Sequence, residues 1–485
     1  MSEYIFGAHI LESLTTGMYQ DSRMIFREYI QNACDSIDKA ASSGLINRDD
    51  GEININIDPE TRNITIRDNG TGIKSREFER VLGNIADSDK KAGIDKGFRG
   101  IGRLCGLAYC EKLIFTAKFQ GEKVISKLVC NAKVMRELIS EDTEKRYTAS
   151  EVLNLINEFA FEDEYEENID EHYFIVELVN INSENTDLLN YDRVKKYLSF
   201  TVPLPYYITF SPYRSKIYEY AKKSGSEICE YNIYLNNEQL FKPYTIKFTT
   251  GRGQGKVIDE IFDIRFIDFR DVNNNLIAWL WLGISHFKGA ISEDCMMRGI
   301  RLRKENIQIG NEDTLQRFFS ESRGQHYFIG ELFCVSKDLI PNSQRDYFNE
   351  NKLRVELENQ LRNYFTELSR IYHAGSKLNK LITARDESMN SDIKPDEAAK
   401  INSDIEKLKT SHEIIRRVIA DYDDRKSEHE EQLTSQTQTV IYARKYTYTQ
   451  KEQKIIDKIF SVINSSLDSE TAQELIIRIK DALEQ

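Results

Sequence analysis

The chain contains no uninterrupted run of about 20 apolar residues, the length a helix needs to cross a bilayer, so nothing in it reads as a membrane span. Its first six residues carry no basic stretch followed by an apolar one, and no secretory signal is expected. Cysteine is sparse. The seven (Cys34, Cys105, Cys110, Cys130, Cys229, Cys295 and Cys334) are odd in number and form no CxxC pair, which argues against a disulfide framework and against zinc, and for reduced thiols in the cytoplasm. Proline is equally rare, and three of the seven fall in "TVPLPYYITFSP", a boundary-like stretch near residue 200. Lysine and arginine (66) are outnumbered by aspartate and glutamate (79), and the resulting net charge of -13 excludes a uniformly basic nucleic-acid binder while leaving room for a local patch.

What is present is enough for more than one core. A chain of 485 residues predicts two or three domains, and we expect them at 1–198, 199–348 and 349–485. The fold class is α+β. Ile53, Ile55 and Ile57 alternate with polar residues, "PETRN" turns the chain, and Ile64 and Ile66 alternate again, the mark of a hairpin with one buried face. Residues 74–96 begin as a helix and end in the polar "ADSDKKAGIDK", which suggests a mobile lid. "KLIFTAKF" and "YFIVELVNI" read as strands, separated by the acidic "FEDEYEENIDEHY". Beyond residue 200, 228–235, 264–269, 277–284 and 331–335 are strand candidates. After Pro341 the chain turns charged and helical. Leu353, Leu357, Leu361, Tyr364 and Leu368 recur at helical spacing, as do Ile401, Ile405, Leu408, Ile415 and Tyr422, a pattern for helices that pack on each other or across a dimer. Ile455, Ile459 and Ile463, then Leu475, Ile479 and Leu483, predict two shorter helices.

Three segments carry chemistry. "FREYIQNACDSIDKA" at 26–40 is an amphipathic helix with Glu28, Asn32 and Asp35 within roughly 60° of one another, opposite Phe26, Ile30, Ala33 and Ile37. On its own this is equally the pattern of a solvated face. "TIRDNGTGI" ends a buried strand in Asp68, whose carboxylate can only accept and so suits the exocyclic amino group of adenine. Gly70 and Gly72 permit close approach of a ligand to the backbone, although turns use the same residues. "GFRGIGRL" sets Gly97, Gly100 and Gly102 before a helix-like run, where exposed N–H groups suit polyphosphate. It is not a Walker loop, since no Lys-Ser or Lys-Thr pair follows, and "GRGQGKV" at 251–257 fails the same test.

Their order decides more than any one of them. An ExxxN helix, a hairpin ending in DNGTGI, a lid and GxxGxG follow one another within about 80 residues, and residues 5–118 resemble the ATP-binding domain of the GHKL superfamily, most closely that of Hsp90. The resemblance implies a Bergerat-fold α/β sandwich followed by an α+β transducer domain and a helical, partly coiled-coil region. It further implies that Glu28 polarises the attacking water, Asn32 coordinates Mg2+, Asp35 lies near sugar and phosphates, Asp68 holds adenine, and Gly97, Gly100 and Gly102 anchor the lid on the phosphates. The family's Gly-Thr pair before the last strand is missing from "EHYFIVELV". "DLIPNSQRDYF" resembles the middle-domain segment whose arginine reaches the γ-phosphate, which points to Arg345.

The implied function is an ATPase whose cycle closes the lid, rearranges domains and acts on a protein client, working as a cytoplasmic homodimer. Two alternatives remain open. One is a nucleic-acid clamp ATPase of the Microrchidia or MutL kind, for which Arg298, Arg301, Arg303 and Lys304 in "MRGIRLRKENIQIG" are the candidate contacts. The other is an ATP-binding scaffold, against which the intact Glu28 argues.

Overall fold

The computed structural model describes residues 5–15, 17, 21–85, 100–140, 146–163, 169–249, 255–389 and 395–425, with isolated positions between 458 and 479. Within it, Met1–Ile419 forms one compact unit and Ala420–Gln485 another.

The first half of the larger unit comprises α1 (His9–Leu14), α2 (Met24–Ser42), β1 (Glu52–Asp58), β2 (Asn63–Asp68), α3 (Ser75–Gly83), β3 (Cys110–Lys118), β4 (Val124–Asn131), α4 (Ala132–Ile139), α5 (Ala149–Ile156), β5 (Asn157–Asp163) and β6 (Tyr173–Ile181). The expected hairpin forms with Ile55 opposite Ile66, and its isoleucines point one way into the core while the intervening positions of β1 stay exposed. That alternation makes the sheet one-sided, and α2 lays Phe26, Ile30, Ala33 and Ile37 on the buried face. Burying four such side chains is worth about 1.5–3 kcal/mol for each of the larger ones. The helix after the DNGTGI turn stops at Gly83, and 86–96 of the expected lid, with Gly97 after it, lie outside the described residues, as do 251–254 of "GRGQGKV".

After α6 (Tyr191–Thr201) and α7 (Ser211–Lys223) the chain returns to the first sheet. β7 (Asn232–Leu235) pairs in parallel with β1, and β8 (Glu238–Gln239) follows it, so the strand order is β5-β4-β3-β6-β2-β1-β7-β8. The first sheet therefore takes strands from beyond residue 198. β9 (Lys247–Thr249) and β10 (Val257–Glu260) make a small ribbon. The second sheet runs in the order β11 (Asp263–Arg270), β12 (Leu276–Ile284), β15 (Ile329–Cys334), β13 (Gly299–Lys304) and β14 (Ile307–Gln308). Its interior strand β12 is buried along nearly its whole length and carries Trp279 and Trp281 on one face, Trp281 against Tyr206, Phe210 and Tyr244 and Trp279 against Tyr220 and Phe333.

α8 (Lys352–Met389) and α9 (Pro395–Ser411) are the expected long helices. Leu357, Leu361 and Leu368 are buried against the chain's own structure, α8 packing on β11, β12 and α9. Local packing thus accounts for the α8 stripe. Most of the two shorter helices expected after residue 450 lies outside the described residues. Among the described residues no helix is long and apolar enough to cross a membrane.

Candidate nucleotide site

α2 is buried on more than its apolar side. Glu28 keeps only 8% of its surface exposed and Asp35 4%, with Asn32 half-buried between them. Two carboxylates at such depth are not a solvated face, because burial of charge is costly unless something compensates it.

The end of β2 lies beside that stripe. Asp68 is 4% exposed, and its Oδ1 accepts a hydrogen bond from the Gly70 amide at 2.9 Å. The Gly70 carbonyl is in turn 2.7 Å from Nδ1 of His172. A carbonyl only accepts, so Nδ1 carries the proton. His172 stands in the segment where the Gly-Thr pair is missing, and it fastens the turn that Asp68 begins. Gly72 has φ +61, and a Cβ there would fall 1.9 Å from the Lys118 carbonyl oxygen, so backbone meets backbone without space for a side chain.

The 3-10 turn at Gly102–Ala108 covers the stripe from another direction. A Cβ on Gly102 would lie 2.4 Å from Oε2 of Glu28, which makes this glycine the means by which main chain reaches the carboxylate. Tyr29 fastens the turn to α2: its hydroxyl accepts from the Gly106 amide and donates to the Arg103 carbonyl, each at 3.0 Å. Burial holds the phenol well above its ordinary range, so it remains a donor. Cys105 behind it is likewise raised, first by burial and then by the Glu28 charge.

The remaining part comes from far along the chain. Arg345, in the loop after β15, places Nε 3.4 Å from Oε1 of Glu28. Its backbone has φ +54, with its carbonyl accepting from the Gly310 amide at 2.8 Å and its own amide donating to the Asn342 carbonyl at 3.2 Å. Arg27 makes the same junction from the other side: Nη2 lies 3.6 Å from Oε1 of Glu28 and donates to the Gln344 carbonyl at 3.2 Å, across 317 residues of sequence. Oε1 of Glu28 therefore sits between two guanidinium groups. Neither distance is a hydrogen bond.

Glu28, Asn32, Asp35, Asp68, Gly70, Gly72, Gly100, Gly102 and Arg345 are all within the described residues. The structure gathers Glu28, Gly102 and Arg345 at one carboxylate and Asp68, Gly70 and Gly72 in one turn. Sequence reasoning missed Arg27, Gln31, Tyr29 and His172. Arg27 and Gln31 flank the stripe on α2, and Gln31 is buried with neither amide atom hydrogen-bonded among the described residues. The expected nucleic-acid contacts are corrected. Arg303 is fully buried and paired with Glu331, Arg301 is buried against Phe200, and the buried Lys304 donates to the Ser336 carbonyl at 2.7 Å, so these side chains serve the interior of the second sheet. Arg298 alone keeps appreciable exposure, beside Glu293 at 3.8 Å, so the four do not form an exposed basic face for a nucleic-acid backbone.

Residues 21–162 match the family model for the histidine kinase-, DNA gyrase B- and HSP90-like ATPases. The matched segment is similar to the GHKL-type ATPases. Every candidate site residue except Arg345 falls inside it. The Chaperone protein HtpG of Natranaerobius thermophilus is 27% identical over 200 residues, 38% of this chain and 31% of that protein. The HtpG of Halalkalibacterium halodurans is 32% identical over 130 residues, covering 24% and 21%. That of Psychrobacter arcticus is 37% identical over 95 residues, covering 18% and 14%. The chain thus matches less than a third of the length of these relatives. The match places it near Hsp90 within the superfamily.

Proposed function

We propose that the GHKL domain binds ATP with Mg2+ and hydrolyses it, and that the cycle closes the lid and rearranges the domains on a protein client. The observation that carries this reading is the meeting of Glu28, from the buried polar stripe of α2, with Arg345 from the second half of the chain. Asp68 offers adenine an acceptor held in place by Gly70 and His172, while Gly70 and Gly72 keep the backbone close to the base. Asn32 and Asp35 face the phosphates and sugar, Gly97, Gly100 and Gly102 carry the lid's contact with the phosphates, and Glu28 orients and deprotonates the attacking water. A cation fits this donor set. No cluster of three or more His, Cys, Asp or Glu among the described residues would hold a metal alone, so Mg2+ would take the Asn32 amide oxygen together with phosphate oxygens and water. Bound there, it supplies neutralisation of charge on the phosphoryl oxygens.

Arg345 tests the coupling between domains. Arg345→Ala should leave ATP affinity within about twofold of wild type and slow hydrolysis by about 10²-fold, the typical loss when one donor to a developing charge is removed. Single-turnover kinetics and equilibrium titration read the two separately. Hydrolysis at the wild-type rate would make Arg345 a packing residue and detach the second sheet from the chemistry.

The homodimer, the division into ATP-binding, transducer and helical regions, and the cytoplasmic setting belong to the same reading. The dimer is expected from the apolar stripes after residue 350, of which the α8 stripe is already covered by its own chain. Sedimentation equilibrium at micromolar concentration should give a dimer; a monomer would remove that part of the proposal.

A further inference from the structure

Behind the Glu28–Arg345 junction lies a cavity of about 770 Å3, with α2 and α6 on one side and residues 293–314 and 344–346 on the other. Neither Glu28, Asn32, Asp68 nor Gly102 lines it, so of the candidate nucleotide-site residues it shares only Arg345. Arg27 and Arg345 do line it, and they are the two groups that flank Oε1 of Glu28. They form a common wall between cavity and carboxylate.

The charge in this cavity is sorted by depth. Arg27 (3% exposed), Arg301 (5%) and Arg345 (7%) form its buried part. None of its acidic side chains is buried: Glu293 and Glu312 are exposed at 86% and 57% and lie 3.8 Å from Arg298 and 3.9 Å from Arg301, Asp346 is exposed, the half-buried Asp187 accepts from Ser22 at 2.6 Å, and Asp21 is held by Arg23 through contacts of 2.9 and 2.8 Å. Arg193 and Lys196 add two exposed cations at the rim, one turn apart on α6. Two of the deep cations keep a donor that the described protein groups do not use. Nε of Arg27 and Nε of Arg301 are buried, and neither donates to any acceptor among the described residues. A buried donor left in that state costs about 1–3 kcal/mol, which an anionic oxygen would recover.

We infer that this cavity is a second anion site, built for a small molecule carrying two or more phosphoryl groups, and that its occupancy restrains ATP hydrolysis. The volume is many times that of one phosphate and the wall presents guanidinium groups, which pair with phosphoryl oxygens in two-pronged fashion. A diphosphate in contact with Arg27 and Arg345 competes with Glu28 for the same two cations. ATP still binds, since Asp68 and its turn lie elsewhere, but the arginine needed on closure is held back. The effect on turnover rests on the proposed role of Arg345; the binding site itself does not.

The test uses inorganic pyrophosphate and the full-length protein saturated with a non-hydrolysable ATP analogue, with a titration into buffer subtracted for magnesium complexation. Calorimetry should show one further site, and the double variant Arg193→Glu/Lys196→Glu, at the rim and outside the hydrolytic machinery, should weaken it at least tenfold. Pyrophosphate should lower the wild-type turnover rate without changing the affinity for ATP, and the double variant, with normal basal turnover, should resist it. If the ATP-saturated protein takes up no pyrophosphate, or the double variant binds it as wild type does, the site is refuted. If the protein binds pyrophosphate there but no variant or condition reveals ATP hydrolysis, the anion site stands and the ATPase reading fails.

Discussion

Glu28→Gln is expected to bind ATP as tightly as the wild type and to turn it over about 10²- to 10⁴-fold more slowly, the usual contribution of a positioned general base. Glutamine keeps the volume against Gly102, where the carboxylate is already in contact with main chain, so the loss would be of basicity and not of packing. Asp68→Asn should behave in the opposite way and abolish binding. The asparagine oxygen can still accept from the Gly70 amide, as Oδ1 does now at 2.9 Å. Its NH2 group then faces the adenine amino group, donor against donor, in a site with little water to relieve it. Isothermal titration and a phosphate-release assay on both variants separate the two roles; if both bind ATP normally, the adenine assignment to Asp68 is wrong. Guanine nucleotides should compete poorly in the same assay, because their carbonyl would confront the carboxylate.

The second large effect is on stability and lies in the second sheet. Glu331 is fully buried on β15, accepting from Arg303 Nε at 2.7 Å, Lys242 Nζ at 3.1 Å, Trp281 Nε1 at 3.3 Å and the Tyr206 hydroxyl. Burial by itself would raise this carboxyl, but Arg303 and Lys242 outweigh it and hold it at about 2. Burial pushes Lys242 down, to about 8. The cluster pins the segment around residues 204–206 and Lys242 to the second sheet, with Lys242 also donating to Asn306 at 2.6 Å. Glu331→Gln leaves two buried cations without a counter-charge and should cost about 3–5 kcal/mol, read as a shift of the urea midpoint at pH 7.

The pH dependence follows from the sign of the Glu331 shift. Its folded value lies below its unfolded one, so its contribution is complete above the ordinary carboxylate range near 4.5 and is lost as pH falls towards 2. The shift corresponds to about 3 kcal/mol. The wild type should lose stability across that window more steeply than Glu331→Gln. Equal slopes would show that the cluster does not govern the acid limb.

Much of this protein was legible along the chain wherever one element carries its own signal. The hairpin followed from two alternating runs, and the helix at 26–40 from its apolar spacing. β3, β6, β11, β12 and β15 formed where residues 112–119, 173–181, 264–269, 277–284 and 331–335 were read as strands. The order of the three motifs was enough to indicate the domain type that the family match supports. Periodicity reports which residues share a face, because that depends only on the geometry of one helix or strand.

What covers each face depends on residues hundreds of positions away, and there the tertiary structure decided. A polar stripe has the same spacing whether it meets water or protein; the burial of Glu28 and Asp35 follows from the packing of the DNGTGI turn, the 102–108 turn and the 341–348 loop around α2. Arginines in an alternating strand look alike whether exposed or paired, and only the neighbouring strand β15, with Glu331, shows that Arg303 belongs to the core. The return of β7 to the edge of β1 left no mark at residue 198, since strand pairing satisfies backbone groups that every sequence carries. His172 bonds to Gly70 across 102 residues for the same reason: the partner is a main-chain carbonyl, which no side-chain pattern announces.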